Sequence, residues 1–170
     1  KKDKTGSAVA FAGDFNNDGY GDYIVGIPGF DIPATVDTKI IKDAGRAIVI
    51  SGKDGVVLAG VNGIAAKDIL GSAVAGGADI NGDSYDDVLI GSPRAGVTHA
   101  GNVTILYGPD GSTAQTISGV VAKGAFGSAM ALGDVDGDSK ADILVGAPKD
   151  DDITNKLADA GSVKVYSGNG

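Results

Sequence analysis

Short apolar stretches rich in Val and Ile, each ended by Gly, Pro or Asp, recur along the whole chain. No stretch keeps the three-and-four spacing of an amphipathic helix. Alternating short runs of this kind predict strands, over residues 7–13, 23–27 and 47–51 in the first third of the chain. Weaker apolar runs at 56–59 and 113–118 predict a fourth strand for the first and second of three comparable units. No fourth strand is evident for the last.

The units are set by a repeat. Gly6-Ser7-Ala8, Gly71-Ser72-Ala73 and Gly127-Ser128-Ala129 each open a segment that runs into an aspartate-rich loop beginning at Asp14, Asp79 or Asp134. Twelve positions after each of those aspartates stands a Gly-x-Pro: Gly26-Ile27-Pro28, Gly91-Ser92-Pro93 and Gly146-Ala147-Pro148. Ala44-Gly45, Ala100-Gly101 and Ala160-Gly161 follow after connections of variable length, and seven residues beyond those glycines come Gly52, Gly108 and Gly168. Four short antiparallel strands per unit is the layout of a β-propeller blade. The expected fold is all-β, with blade 1 over 5–69, blade 2 over 70–125 and blade 3 over 126–170.

Composition narrows the chemistry. All 22 acids are aspartate and 29 of the 170 residues are glycine, which suits turns and strands rather than helices. Cysteine is absent, so disulfides, thiolate metal sites and thiol nucleophiles are excluded, and His99 is the single histidine. A net charge of −8 argues against a nucleic-acid partner. No apolar run approaches the roughly 18 residues of a membrane helix, so membrane insertion is not expected. No targeting leader is visible, and a start at Lys1 rather than Met is expected of a processed chain or an excised piece.

Oxygen-bearing residues recur at positions one, three, five and nine of the three loops. They are Asp14, Asn16, Asp18 and Asp22; Asp79, Asn81, Asp83 and Asp87; and Asp134, Asp136, Asp138 and Asp142. Hard cations take six to eight oxygens, and alternate positions of a tight loop aim successive oxygens at one centre. Position seven can add a backbone carbonyl, from Tyr20, Tyr85 or Lys140, which explains why such unlike side chains are accepted there. The three windows hold 11 of the 22 acids, and the net charge of −8 becomes +3 when those eleven are set aside. The expected cofactor is Ca²⁺ at three sites. Magnesium wants a stricter octahedron and keeps more water. The competing reading is metal-free hairpin turns closed by Asx bonds, which would not require an acid at position nine. Position twelve is Val25, Ile90 or Val145 and offers no bidentate carboxylate, so the helix-loop-helix calcium hand is excluded. The third loop, with four aspartates at its ligand positions, is expected to bind more tightly than the first.

Phe126-Gly127, the Asp loop behind it and Gly146-Ala147-Pro148 resemble the FG-GAP repeat of integrin α-subunit propellers. Thr5-Gly6 with Gly26-Ile27-Pro28, and Leu70-Gly71 with Gly91-Ser92-Pro93, are more degenerate copies. The resemblance covers essentially the whole chain. It implies a propeller whose calcium ions clamp the hairpin between first and second strands, on the rim opposite the usual ligand face. Integrin-like propellers have seven blades, whereas this chain offers three. The resemblance therefore implies a homodimer of six blades or a part of a longer propeller chain, with Val9, Ile24, Ile143 and Val165 expected at the junctions. The expected function is a calcium-binding, non-enzymatic module for protein or glycan recognition or adhesion at a cell surface, outside the cell or in a periplasm. The alternative is a calcium-dependent hydrolase or lyase, or the accessory propeller of one. Arg46, Arg94 and His99 lie near the connections between second and third strands, which makes that rim a candidate for recognition. The run Lys149-Asp150-Asp151-Asp152 reads as a solvated loop, and Asn102-Val103-Thr104, an acceptor-like triplet, falls in a predicted strand.

Overall fold

The computed structural model describes residues 3–168 apart from 35–38, 113, 139 and 153. The start of the 113–118 run and Ser139 of the third loop thus lie outside the described residues. Among the described residues, eleven strands form three antiparallel sheets. The first sheet holds β1 (Ala8–Gly13), β2 (Asp22–Ile27), β3 (Arg46–Ile50) and β4 (Val57–Asn62) in sequence order. The second holds β5 (Ala73–Ala78), β6 (Asp87–Ser92), β7 (Asn102–Leu106) and β8 (Ala114–Ser118) in the same order. The third holds β9 (Ala129–Gly133), β10 (Asp142–Ala147) and β11 (Ser162–Tyr166) among the described residues. Strands fall where the apolar runs place them, and each sheet is a blade. The strand β4 runs on through Gly60 to Asn62, beyond the apolar run, because Gly60 pairs with Ile48. Partner strands set such ends more firmly than intrinsic propensity does.

The blades stack through their first strands, β1 beside β5 and β5 beside β9. Period-two alternation gives every strand two faces, and two buried layers result. Ile24, Val49 and Ala59 of the first blade meet Val88, Ile90 and Leu106 of the second. Leu89, Val103 and Ile105 on the opposite face of the second blade meet Ile143, Val145 and Ala147 of the third. Each junction also takes one residue from the preceding blade's Asp loop, Phe15 or Ile80, and the residue before the next blade's opening glycine, Leu70 or Phe126. That junction role is a physical reason for the Phe of Phe126-Gly127.

Glycine contacts set the distance between blades. A Cβ on Gly26 would stand 2.0 Å from the carbonyl oxygen of Gly71, and one on Gly91 would stand 2.1 Å from that of Gly127. The glycine of Gly-x-Pro is therefore the seat for the next blade's opening glycine. At the end of the third blade the equivalent Gly146 meets nothing nearer than its own neighbouring strand, Ala129 at 3.6 Å. Val135, the third loop's counterpart of Phe15 and Ile80, is exposed.

The outer faces correct one expectation. Val9 and Val165 do lie on the open faces of blades one and three, 67% and 52% exposed. Ile24 and Ile143 are buried in the internal junctions instead. The alternation explains the split, since Val9 pairs with Val25 and shares its face, and Ile24, the adjacent residue of β2, projects to the other side. The run at 149–152 is also less uniform than its charge suggests. Asp150 is buried, accepts the Ser162 hydroxyl at 2.6 Å and lies 3.6 Å from the Lys164 ammonium. No helix is long and apolar enough to cross a membrane among the described residues.

Candidate metal centres

All three Asp loops sit at the same end of their blades, between the first and second strands, and share one hydrogen-bonding plan. The position-one carboxylate folds the loop back on itself. Asp14 accepts the backbone N–H groups of Asp18 and Gly19 at 2.9 and 2.8 Å. Asp79 accepts those of Gly82, Asp83 and Ser84, and Asp134 those of Gly137 and Asp138. The position-five carboxylate, Asp18, Asp83 or Asp138, then accepts the N–H of position seven, Tyr20, Tyr85 or Lys140, at 2.9 to 3.0 Å. These are the Asx bonds a turn alone would make.

The ninth-position aspartates do something further. Asp22, Asp87 and Asp142 are buried at the root of the loop. One oxygen of each accepts the N–H of loop position two, from Phe15, Ile80 or Val135, at 2.8 to 2.9 Å. The other accepts the N–H of the glycine after the third strand, Gly52, Gly108 or Gly168, at 3.0 to 3.3 Å. One side chain thus ties the loop, the second strand and the third strand together. The glycines seven residues beyond the Ala-Gly pairs are needed for a separate reason, since a Cβ there would run into a backbone carbonyl, that of Gly21 at Gly52, of Phe15 at Gly108 and of Ala141 at Gly168. Each carboxylate oxygen still has a second lone pair free to ligate. Burial pushes the Asp87 carboxyl up to about 6, against the pull of its bonds from Ile80 and Gly108, with Asp83 and Asp79 adding repulsion.

Two observations bear on whether these loops suit a cation. In the third loop one oxygen each of Asp134, Asp136 and Asp138 can be drawn from a cluster within 4.8 Å, three exposed like charges in close company. In the first, Asn16 Oδ1 is buried and accepts no hydrogen bond. Its amide nitrogen instead donates to Asp18 Oδ2 at 3.3 Å. An acceptor buried without a donor costs on the order of 1–3 kcal/mol, and a cation facing it would remove that cost. The second loop has the same Asn-to-Asp contact at 2.9 Å, from Asn81 to Asp83. Third-position amides in the first two loops leave the third loop as the one with a purely carboxylate cluster. The residues present therefore fit a hard, oxygen-seeking ion. Between blades, Asp86 Oδ2 accepts the Asp14 N–H at 2.8 Å and anchors the first loop to the second blade. Sequence spacing gave no signal for that bond.

Antiparallel blades stacked through their first strands, each with an Asp loop rooted by a buried aspartate, define the class as a β-propeller repeat protein. Residues 70–106 and 126–166 match the FG-GAP repeat, and the chain belongs to that family. The integrin alpha pat-2 of Caenorhabditis elegans is 35% identical over 169 residues, covering 85% of this chain and 13% of that protein. The phosphatidylinositol-glycan-specific phospholipase D of Bos taurus is 31% identical over 148 residues, covering 79% of this chain and 18% of the relative. The integrin alpha-V of Gallus gallus is 36% identical over 98 residues, covering 56% of this chain and 9% of the relative. The chain thus spans less than a fifth of each of these relatives.

Proposed function

We propose that the chain is part of a calcium-stabilised, non-enzymatic β-propeller module that presents its connecting loops for protein or glycan recognition at a cell surface or outside the cell. The observation that carries this reading is the buried, donorless Asn16 Oδ1 within one of three loops of identical spacing. Asp14, Asn16, Asp18 and Asp22, with the Tyr20 carbonyl, would hold the first ion. Asp79, Asn81, Asp83 and Asp87 with the Tyr85 carbonyl would hold the second, and Asp134, Asp136, Asp138 and Asp142 with the Lys140 carbonyl the third. Calcium would neutralise the clustered carboxylates and pin each hairpin. Millimolar calcium outside cells fills even modest sites, which supports that location. His99 Nδ1 lies 2.9 Å from the Arg94 carbonyl and so carries the proton there, which commits the only imidazole to a structural bond.

The phospholipase D relatives favour a second reading, an accessory propeller within a larger enzyme, since the match covers most of this chain and under a fifth of theirs. Both readings require the open blade faces to be covered, by a second copy or by further blades. Gly146 as an unfilled seat and the exposed Val135 support such a neighbour. Site-resolved calcium titration, followed by the amide signals of Gly19, Gly82 and Gly137, tests the metal reading. The third loop should fill before the first, because it offers one more carboxylate. Filling of the first loop well ahead of the third, or no response at all, contradicts it.

A further inference from the structure

The connections between second and third strands and between successive blades meet on the rim opposite the Asp loops. Two adjoining pockets open there, of about 460 and 550 Å³, and share Lys67 and Arg94. We propose that the larger one, between blades two and three, binds a compact polyanion built on a polyol ring, a sugar or inositol carrying phosphate or sulfate groups. This rests on the reading of the chain as a recognition module and names the ligand class of its rim.

Charge is the first reason. Lys67, Arg94, Lys123 and Lys149 all line this pocket together with His99, and no carboxylate lines it among the described residues. None of the four cations forms an ion pair with a described residue. In a chain with 22 acids and 14 bases, four unpaired cations around one cavity repel one another, and an anion would relieve that repulsion. Asp68, next to Lys67 in the sequence, is buried and accepts the Ala65 N–H at 2.9 Å. The smaller pocket includes Asp43 in its lining and is the poorer anion site for that reason.

The backbone that carries the cations is also held in place. Lys67 and Lys123 each stand five residues before a repeat serine, Ser72 or Ser128. Both have left-handed backbone angles, φ of 69° and 63°. Each N–H donates to the preceding connection, to Lys42 O at 3.0 Å and to Thr98 O at 3.1 Å. Glycine would adopt that conformation at roughly 1 kcal/mol less, yet lysine occupies it in both units. Arg94 and Lys149 come from a second fixed position, directly after Gly-x-Pro, and the Lys149 N–H donates to Gly124 O at 3.1 Å. His99 Nδ1 is fixed on the Arg94 carbonyl. The first unit carries Lys2 at the corresponding place, outside the described residues.

The rest of the lining selects the scaffold. Ser128 donates its hydroxyl proton to Ala125 O at 2.7 Å, so toward the pocket its oxygen can only accept. Such an acceptor suits a ligand hydroxyl and does nothing for a bare anion. Pro93 adds an apolar surface of the kind against which a sugar or inositol ring packs. The volume lies in the usual range for small-molecule sites. Compactness follows from the cavity, because all four cations line one volume of about 550 Å³.

Titration calorimetry on the full chain tests this, with inositol trisphosphate and glucose 1,6-bisphosphate, which keep free ring hydroxyls, as probes and citrate and inorganic phosphate as comparisons. The polyol probes should bind at least about tenfold more tightly than the comparisons, and more weakly as salt rises. Arg94→Glu and Lys123→Glu should each weaken them by about tenfold or more, with melting temperature and calcium response unchanged. Absence of binding, equal binding of inorganic phosphate, or indifference to both substitutions overturns the proposal. Loss of the calcium response with polyol binding intact would instead overturn the calcium-dependent reading and leave this site standing.

Discussion

Melting of the calcium-saturated chain is expected at least about 10 °C above melting in excess EDTA. One ion held at a hundred times its dissociation constant adds about 2.7 kcal/mol. In a chain of this size 1 kcal/mol moves the midpoint by about 2–4 °C, so three such ions exceed the threshold comfortably. The structural mechanism is specific: each loop brings acids together, and the aspartate at its root ties three strands. Asp22→Asn touches both duties of that residue. It keeps one acceptor for either the Phe15 or the Gly52 N–H and turns an amide donor toward the other, so the EDTA midpoint should fall by several degrees and part of the calcium gain should be lost as well. The pH dependence has a defined sign at Asp87. Its folded value near 6 lies above the ordinary carboxylate value, so in EDTA its contribution is fully present below about pH 3.8 and is lost as pH rises through 6. Calcium binds the ionised form, so the gain from calcium should grow across the same interval. Identical midpoints with and without EDTA at neutral pH would contradict this.

Gly26→Ala and Gly91→Ala should each destabilise the chain by about 3 kcal/mol, whereas Gly146→Ala should be close to neutral in the isolated chain. The three glycines occupy the same position of the same motif. They differ only in what faces them, since at the first two a Cβ would collide with the carbonyl of the next blade's opening glycine. Those carbonyls belong to Gly71 and Gly127, whose φ values of 85° and 84° fix them in place, so neither side yields easily. Denaturant unfolding measures all three. If the third blade is covered by a second copy, Gly146→Ala should also abolish the dimer in light scattering, and this links a nearly silent substitution to assembly. Equal loss at all three positions would mean that the third seat is already filled within the chain.

Much of this fold was legible because the repeat carries its own punctuation. The Asp loop, Gly-x-Pro and the two later glycines fixed three strands per unit in order and spacing, and the strands lie there. The faces were harder to read. In a strand buried between blades both sides are apolar, so Val9 and Ile24 look alike in sequence although one is open and the other internal. The double role of the ninth-position aspartates was hidden for a different reason. Their partners are backbone N–H groups of distant residues, such as Gly52 for Asp22, and backbone leaves no compositional trace. The cationic rim did leave one, the lysines five residues ahead of the repeat serines, but its convergence with Arg94 and Lys149 needs the blades to be stacked.

Native mass spectrometry of the calcium-saturated chain counts the bound ions one by one. Three calcium ions per chain are expected, with one lost in each of Asp18→Ala, Asp83→Ala and Asp138→Ala and none retained in the triple variant. A mass unchanged by saturating calcium, or ions that persist in the triple variant, would contradict it.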